Sequence, residues 1–94
     1  MWKLKGATPA ERHANRHTVK RALESLRGKV PGLLRLEVGL DESDVDYAFD
    51  VVLCSEFESS AALAAYADHP EHKRVRREMG DLRVQRHQVD YTFN

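Results

Sequence analysis

Tyr66, His69 and His72 bring a phenol and two imidazoles to one short run, Tyr66-Ala67-Asp68-His69-Pro70-Glu71-His72. A neutral imidazole can take a proton from a carbon beside a carbonyl, and a phenol can donate a hydrogen bond to the oxyanion that forms. His72 suits the base role, because a helix N-terminus disfavours the positive imidazolium. Tyr66 suits the donor role, because helical spacing puts it on one face with Leu63. Val51, Leu53 and Phe57 would supply apolar walls for a small molecule held there, with His69 beside them. The same residues also fit a purely structural corner, in which Tyr66 and His72 pack and bond their polar atoms to backbone.

Pro70 is what makes the corner. A proline turns the residue before it away from the α region, so His69 lies off the helix. Pro70 itself suits the first position of a new helix, where its missing N–H costs nothing. His69 is then the cap of a second helical segment, His72 lies in that segment's first turn, and Tyr66 lies in the last turn of the segment before it.

Other residues with chemical potential have plainer roles. His13 and His17 stand four apart on a helix and could chelate a metal, but they fall on its solvated face and no third ligand is evident, so no metal or other cofactor is expected. Cys54, the single cysteine, sits in an apolar strand and reads as a buried, inert thiol. Asp50 lies on the strand face that two sheets packed face to face would enclose, where a lone carboxylate is costly, so it should pair with an arginine such as Arg35 or Arg83, or touch a ligand. His87 reads as a surface or interface residue.

The chain has 94 residues, enough for one domain spanning 1–94. A chain of this size buries only about 60–65% of its unfolded surface, so association would help it stay folded. Fifteen basic and fifteen acidic residues balance. Without a long run of one sign, neither nucleic acid nor an anionic membrane is an expected partner. The densest basic stretch, Lys73-Arg74-Val75-Arg76-Arg77, is flanked by Glu71 and Glu78 and reads as a solvated helix face. One cysteine allows no internal disulfide, which fits a reducing, cytoplasmic compartment. No apolar run approaches the roughly 18 residues of a membrane span.

Periodicity gives the elements. Met1–Lys5 alternates as a short strand. Thr8-Pro9-Ala10-Glu11 starts a helix that should reach about Arg27, with Val19, Ala22, Leu23 and Leu26 as its apolar stripe. After the turn Val30-Pro31-Gly32, a strand follows from Leu33 to Leu40, with Leu34, Leu36, Val38 and Leu40 on one side. A strand over Tyr47–Phe57, the broken helix, and a closing strand over Leu82–Phe93 complete the chain. The order β-α-β-β-α-β predicts an α+β, ferredoxin-like fold: an antiparallel four-stranded sheet with helices on one face. Val38, Val52 and Cys54 would leave the other face too apolar for water, so the expected partner is a second copy, joined through the sheet faces as a homodimer.

At this point the chain resembles the stress-responsive dimeric α/β-barrel domain family. The matching pieces are Trp2-Lys3-Leu4-Lys5, Val30-Pro31-Gly32 with Val38-Gly39, Tyr47–Leu53 with Glu56-Phe57-Glu58-Ser59, the corner at His69-Pro70-Glu71-His72, and Asp90-Tyr91. The resemblance implies a homodimeric barrel. It also implies, by likeness to the plant member olivetolic acid cyclase, a tyrosine–histidine pair at Tyr66 and His72 and a small apolar ligand between sheet and helices. Members of the family usually carry a histidine in a longer first strand, and this chain starts at the equivalent of that strand's second half. Either the natural protein begins upstream or the strand is curtailed. Cyclase-like or lyase-like acid–base activity, a non-catalytic self-associating accessory role, and a cofactor-free or haem-linked monooxygenase role are all compatible with such a barrel.

Overall fold

The structure, a computed structural model, describes residues 1–92. Strands β1 (Trp2–Leu4), β2 (Leu33–Leu40), β3 (Val51–Phe57) and β4 (Arg83–Arg86) alternate with helices α1 (Pro9–Glu24), α2 (Ser60–Ala67) and α3 (Pro70–Met79). A single 3-10 turn, Gly80–Leu82, leads into β4. The sheet order is β2-β3-β1-β4, and each neighbouring pair is antiparallel. This is the expected ferredoxin-like arrangement.

Local chemistry starts and stops the helices. Thr8 Oγ1 accepts from the Glu11 N–H at 3.2 Å, and the Glu11 carboxylate accepts from the Ala7 N–H at 2.9 Å. Such a cap is worth about 1 kcal/mol. α1 ends at Glu24, one turn short of the expected Arg27, and the chain continues through turns to Gly28, whose φ of 76° closes them. Leu26 remains fully buried in that turn. Ser59 Oγ accepts from Ala62 N–H at 3.1 Å to start α2.

The core lies between the sheet and the helices. Trp2, Leu4, Leu36, Val38 and Val51 meet Val19, Leu23, Leu26, Val75 and Met79. Burying each such aliphatic side chain stabilises the fold by about 1.5–3 kcal/mol. α3 contributes Val75 and Met79, four apart on one face.

Several sequence expectations need correction. Leu34 is exposed rather than in line with Leu36 and Val38, because the ladder slips between Leu33 and Arg35. A bulge adds one residue to one strand, so the alternation changes parity there and Leu33 turns inward instead. Val38 pairs with Leu53 and is buried on the helix side, so it does not belong to the open face. Cys54 is exposed, not buried, because it stands on the opposite side of β3 from Leu53. The third strand begins at Val51 rather than Tyr47: the Ala48 N–H bonds the Val45 carbonyl in a turn, and Tyr47 points into solvent.

The closing strand is also short, Arg83–Arg86 instead of Leu82–Phe93. Its partner sets this limit. Met1 and His87 exchange the last two hydrogen bonds, His87 N–H to Met1 O at 3.0 Å and Met1 N to His87 O at 2.9 Å. Beyond them no strand runs alongside, and Val89 and Tyr91 are exposed. Phe93, expected on the same face, lies outside the described residues.

Candidate functional site

The break between α2 and α3 positions the pair. Asp68 ends α2, and His69 has extended backbone at φ −69° and ψ 139°, as its place before Pro70 demands. His69 Nδ1 accepts from the Glu71 N–H at 3.1 Å, capping α3. His72 then lies within the first turn of α3, facing back over the end of α2. Its ring centroid is 4.5 Å from that of Tyr66, with the planes 58° apart. Tyr66 in turn lies 5.4 Å from Phe57. Phenyl, phenol and imidazole thus form one continuous stack from sheet to corner.

The protonation state of His72 follows from its contacts. Nδ1 lies 3.0 Å from the Ala67 carbonyl oxygen. A carbonyl can only accept, so Nδ1 carries the proton and donates it, which leaves the Nε2 lone pair as the proton acceptor. Burial pushes the His72 imidazolium below its ordinary value; the Ala67 bond opposes this, and the charges of Arg76, Arg86 and Arg83 push the same way as burial. The ring is therefore neutral at neutral pH. Burial raises the Tyr66 phenol, with Arg86 opposing, so the hydroxyl stays protonated and able to donate. Among the described residues it has no hydrogen-bond partner. A neutral base and a protonated donor side by side can move a proton and steady an oxyanion.

The other expected lining residues are placed unevenly. Val51 is fully buried within the core. Leu53 and Phe57 are partly buried and pack against that core, as Tyr66 does. They bring the stack up to the core without themselves walling an open cavity. A shallow pocket of about 180 Å³ lies along β4, lined by Gly80, Arg83, Val84, Gln85 and Arg86; Tyr66 and His72 are not among its lining residues. Arg83 pairs in register with Leu4 and Arg86 with Trp2, so both arginines belong to the face of β4 that the helices cover.

Asp50 does pair with an arginine, but neither Arg35 nor Arg83. Arg16 of α1 reaches it, Nη2 to Oδ1 at 2.8 Å, while the Leu4 N–H donates to Oδ2 at 2.7 Å. Asp50 is thus directed towards α1 rather than into a barrel interior. Sequence spacing hides this, because Arg16 is 34 residues away. Of the three arginines near His72, Arg83 and Arg86 are hidden in the same way. Arg76 had a signal, standing one turn after His72 on the same helix face.

His13 and His17 touch edge-on with centroids 4.6 Å apart. Among the described residues no group of three or more His, Cys, Asp or Glu side chains is placed to hold a metal ion. His87 is exposed and meets Phe49 edge-on at 5.1 Å. No described helix is long and apolar enough to cross a membrane.

Comparison with known proteins gives the fold a lineage. The family model described as the stress responsive A/B barrel domain matches residues 1–93. A crystal structure from Bacteroides fragilis NCTC 9343, described as a dimeric protein of unknown function and ferredoxin-like fold, is 30% identical and superposes with a TM-score of 0.83, covering 98% of this chain and 89% of that one. Dimeric ferredoxin-like proteins of unknown function from Thermobifida fusca YX and Jannaschia sp. CCS1 share the fold at 20% and 22% identity, with TM-scores of 0.71 and 0.65. They cover 90% and 89% of this chain, and 77% and 81% of their own. No curated protein matches the chain.

Proposed function

Because the chain belongs to the stress-responsive A/B barrel domain family, we propose that it works as a homodimer that binds a small apolar or aromatic molecule beside Tyr66 and His72, with acid–base chemistry of the cyclase or lyase type. The observation that carries this reading is the 3.0 Å contact between His72 Nδ1 and the Ala67 carbonyl oxygen, which assigns the tautomer. Its Nδ1–H is committed to Ala67, so Nε2 is the basic atom, and the phenol of Tyr66 lies against the same ring. The ligand would lie over the Phe57–Tyr66–His72 stack, near Leu53 and the capping His69, and Nε2 would take its proton while Tyr66 donates to the developing oxyanion.

Dimerisation through the helix-free sheet face is supported by two observations. The Bacteroides fragilis relative is described as dimeric. That face also carries Val52 and Cys54, both exposed, with Val52 opposite Gly39 across the ladder. Exposed apolar positions on a sheet face favour a partner, and a second copy supplies one by symmetry. The balanced charge and lone cysteine fit a cytoplasmic protein without nucleic-acid or membrane partners.

A non-catalytic, self-associating role is the second reading. It is favoured by the packing of Tyr66 between Phe57 and His72, which a purely structural corner would also need. Thermal-shift measurements with neutral aromatic compounds separate the two. The ligand reading expects stabilisation of the wild type that Tyr66→Phe and His72→Gln weaken while their own melting temperatures stay near the wild-type value. Large losses of melting temperature without any ligand effect would favour the structural role.

A further inference from the structure

We propose that Arg76, Arg83 and Arg86 form an anion subsite beside Tyr66 and His72, so that the molecule bound there carries a carboxylate. This deepens the reading above and rests on it for the apolar part of the ligand.

Arg83 and Arg86 stand on the helix-covered face of β4, and Arg76 stands one turn after His72 on α3. The helix and the edge strand therefore bring three cations to one place. Their mutual repulsion is expressed at Arg83, where burial first, then Arg76 and Arg86, lower the guanidinium's proton affinity.

A cluster of like charges is usually offset by nearby carboxylates. Here the local ones are engaged elsewhere. Glu71 and Glu78 both bind Arg74, at 2.6 and 2.8 Å, and Asp81 binds Lys5 at 3.0 Å. Among the described residues, Arg76, Arg83 and Arg86 have no carboxylate partner; Arg86 reaches only the neutral amide of Gln88. Arg83 Nε is buried with no hydrogen-bond acceptor among the described residues. A buried donor without a partner is destabilising, the more so when charged, and a bound anion would remove that cost.

The pocket of about 180 Å³ lined by Arg83 and Arg86 gives the anion room. Guanidinium groups bind a planar carboxylate through paired N–H donors. Tyr66, close enough to feel the charge of Arg86, and Phe57 beyond it suit an apolar or aromatic remainder. The positive field also keeps His72 neutral, so an anionic ligand would raise the basicity of Nε2 on arrival.

Titration of the full-length protein with benzoate, its neutral isostere benzamide and inorganic phosphate, followed by amide chemical shifts in NMR, tests this. Benzoate should bind at least about tenfold more tightly than benzamide, with shifts at Arg83, Arg86, Tyr66 and His72. Arg83→Gln should erase the benzoate preference and leave benzamide affinity unchanged; Arg86→Gln, at an exposed position, gives the same readout should Arg83→Gln fail to fold. Phosphate should bind more weakly than benzoate. Equal affinity for benzoate and benzamide overturns the anion subsite while leaving the apolar-ligand reading intact. Benzoate shifts confined to the arginines, sparing Tyr66 and His72, overturn the apolar-ligand reading while keeping the subsite. Tighter binding of phosphate than benzoate overturns the carboxylate assignment.

Discussion

Asp50 and Arg16 meet at 2.8 Å, tying the start of β3 to the middle of α1. Both side chains are largely buried, at 6% and 11% exposure, and the same carboxylate accepts the Leu4 N–H. One side chain thus joins β1, β3 and α1. The arrangement matters because β1 is central in the sheet yet only three residues long.

Removing one partner of this pair should be costly. Asp50→Ala leaves the buried Leu4 N–H without its acceptor, while Arg16 keeps the Asp44 carboxylate and the Asp41 carbonyl, and should destabilise by about 1–3 kcal/mol. Arg16→Met leaves the buried Asp50 carboxylate with the Leu4 N–H but no cation, and should cost at least as much. Urea unfolding of both variants and their double mutant gives the coupling. Independent, additive effects would contradict a direct pair.

Gly32 has a defined reason to be glycine. Its φ is 79°, and a Cβ there would sit 2.6 Å from Ala62 Cβ and 3.3 Å from the Glu58 side chain. Gly28 has a similar φ of 76° but nothing within 4 Å. Gly32→Ala should therefore destabilise clearly more than Gly28→Ala, whose cost is about 1 kcal/mol of backbone strain. Thermal unfolding of both decides it; equal losses would mean that the contact with α2 yields freely.

The proposed association through the helix-free face makes Val52 a sensitive position. Val52→Glu places a charge where two copies would meet, and should shift the protein to monomers in sedimentation at micromolar concentration. Leu34, exposed and displaced by the bulge, is a separate apolar position on β2. A wild type that sediments as a stable single subunit would remove the homodimer from the account.

The depressed proton affinity of His72 sets a pH dependence. The unfolded chain takes up this proton near 6.5, and the folded chain does so only at lower pH. Between those values the unfolded state binds more protons, so stability falls as pH drops below about 6.5 and is fully present above it. His72→Gln should flatten that part of the profile. An unchanged slope would place the titrating group elsewhere.

Much of this was legible in the residues. Thr8 and His69 marked helix starts because capping is local chemistry, and the Pro70 break followed from sterics alone. Positions decided by distant parts of the chain were not legible. The bulge at Leu34 depends on how β2 meets β3, and it reversed the alternation that periodicity assumed. β4 ends where its pairing with Met1 ends, so the apolar pattern of Val89 and Tyr91 overstated its length. Cys54 looked buried because both faces of β3 carry apolar residues, and only the register with Val38 and Leu53 shows which face meets the helices. The arginine cluster needs α3 and β4 side by side, which no spacing along the chain encodes.

The central claim is that His72 is a neutral base with its lone pair on Nε2, beside a protonated Tyr66. Long-range nitrogen–proton NMR spectra of the histidine rings, recorded across pH, read tautomer and proton affinity together. His72 is expected in the Nδ1–H form with a midpoint below 6.5. An Nε2–H ring, or a midpoint at or above that value, would contradict it.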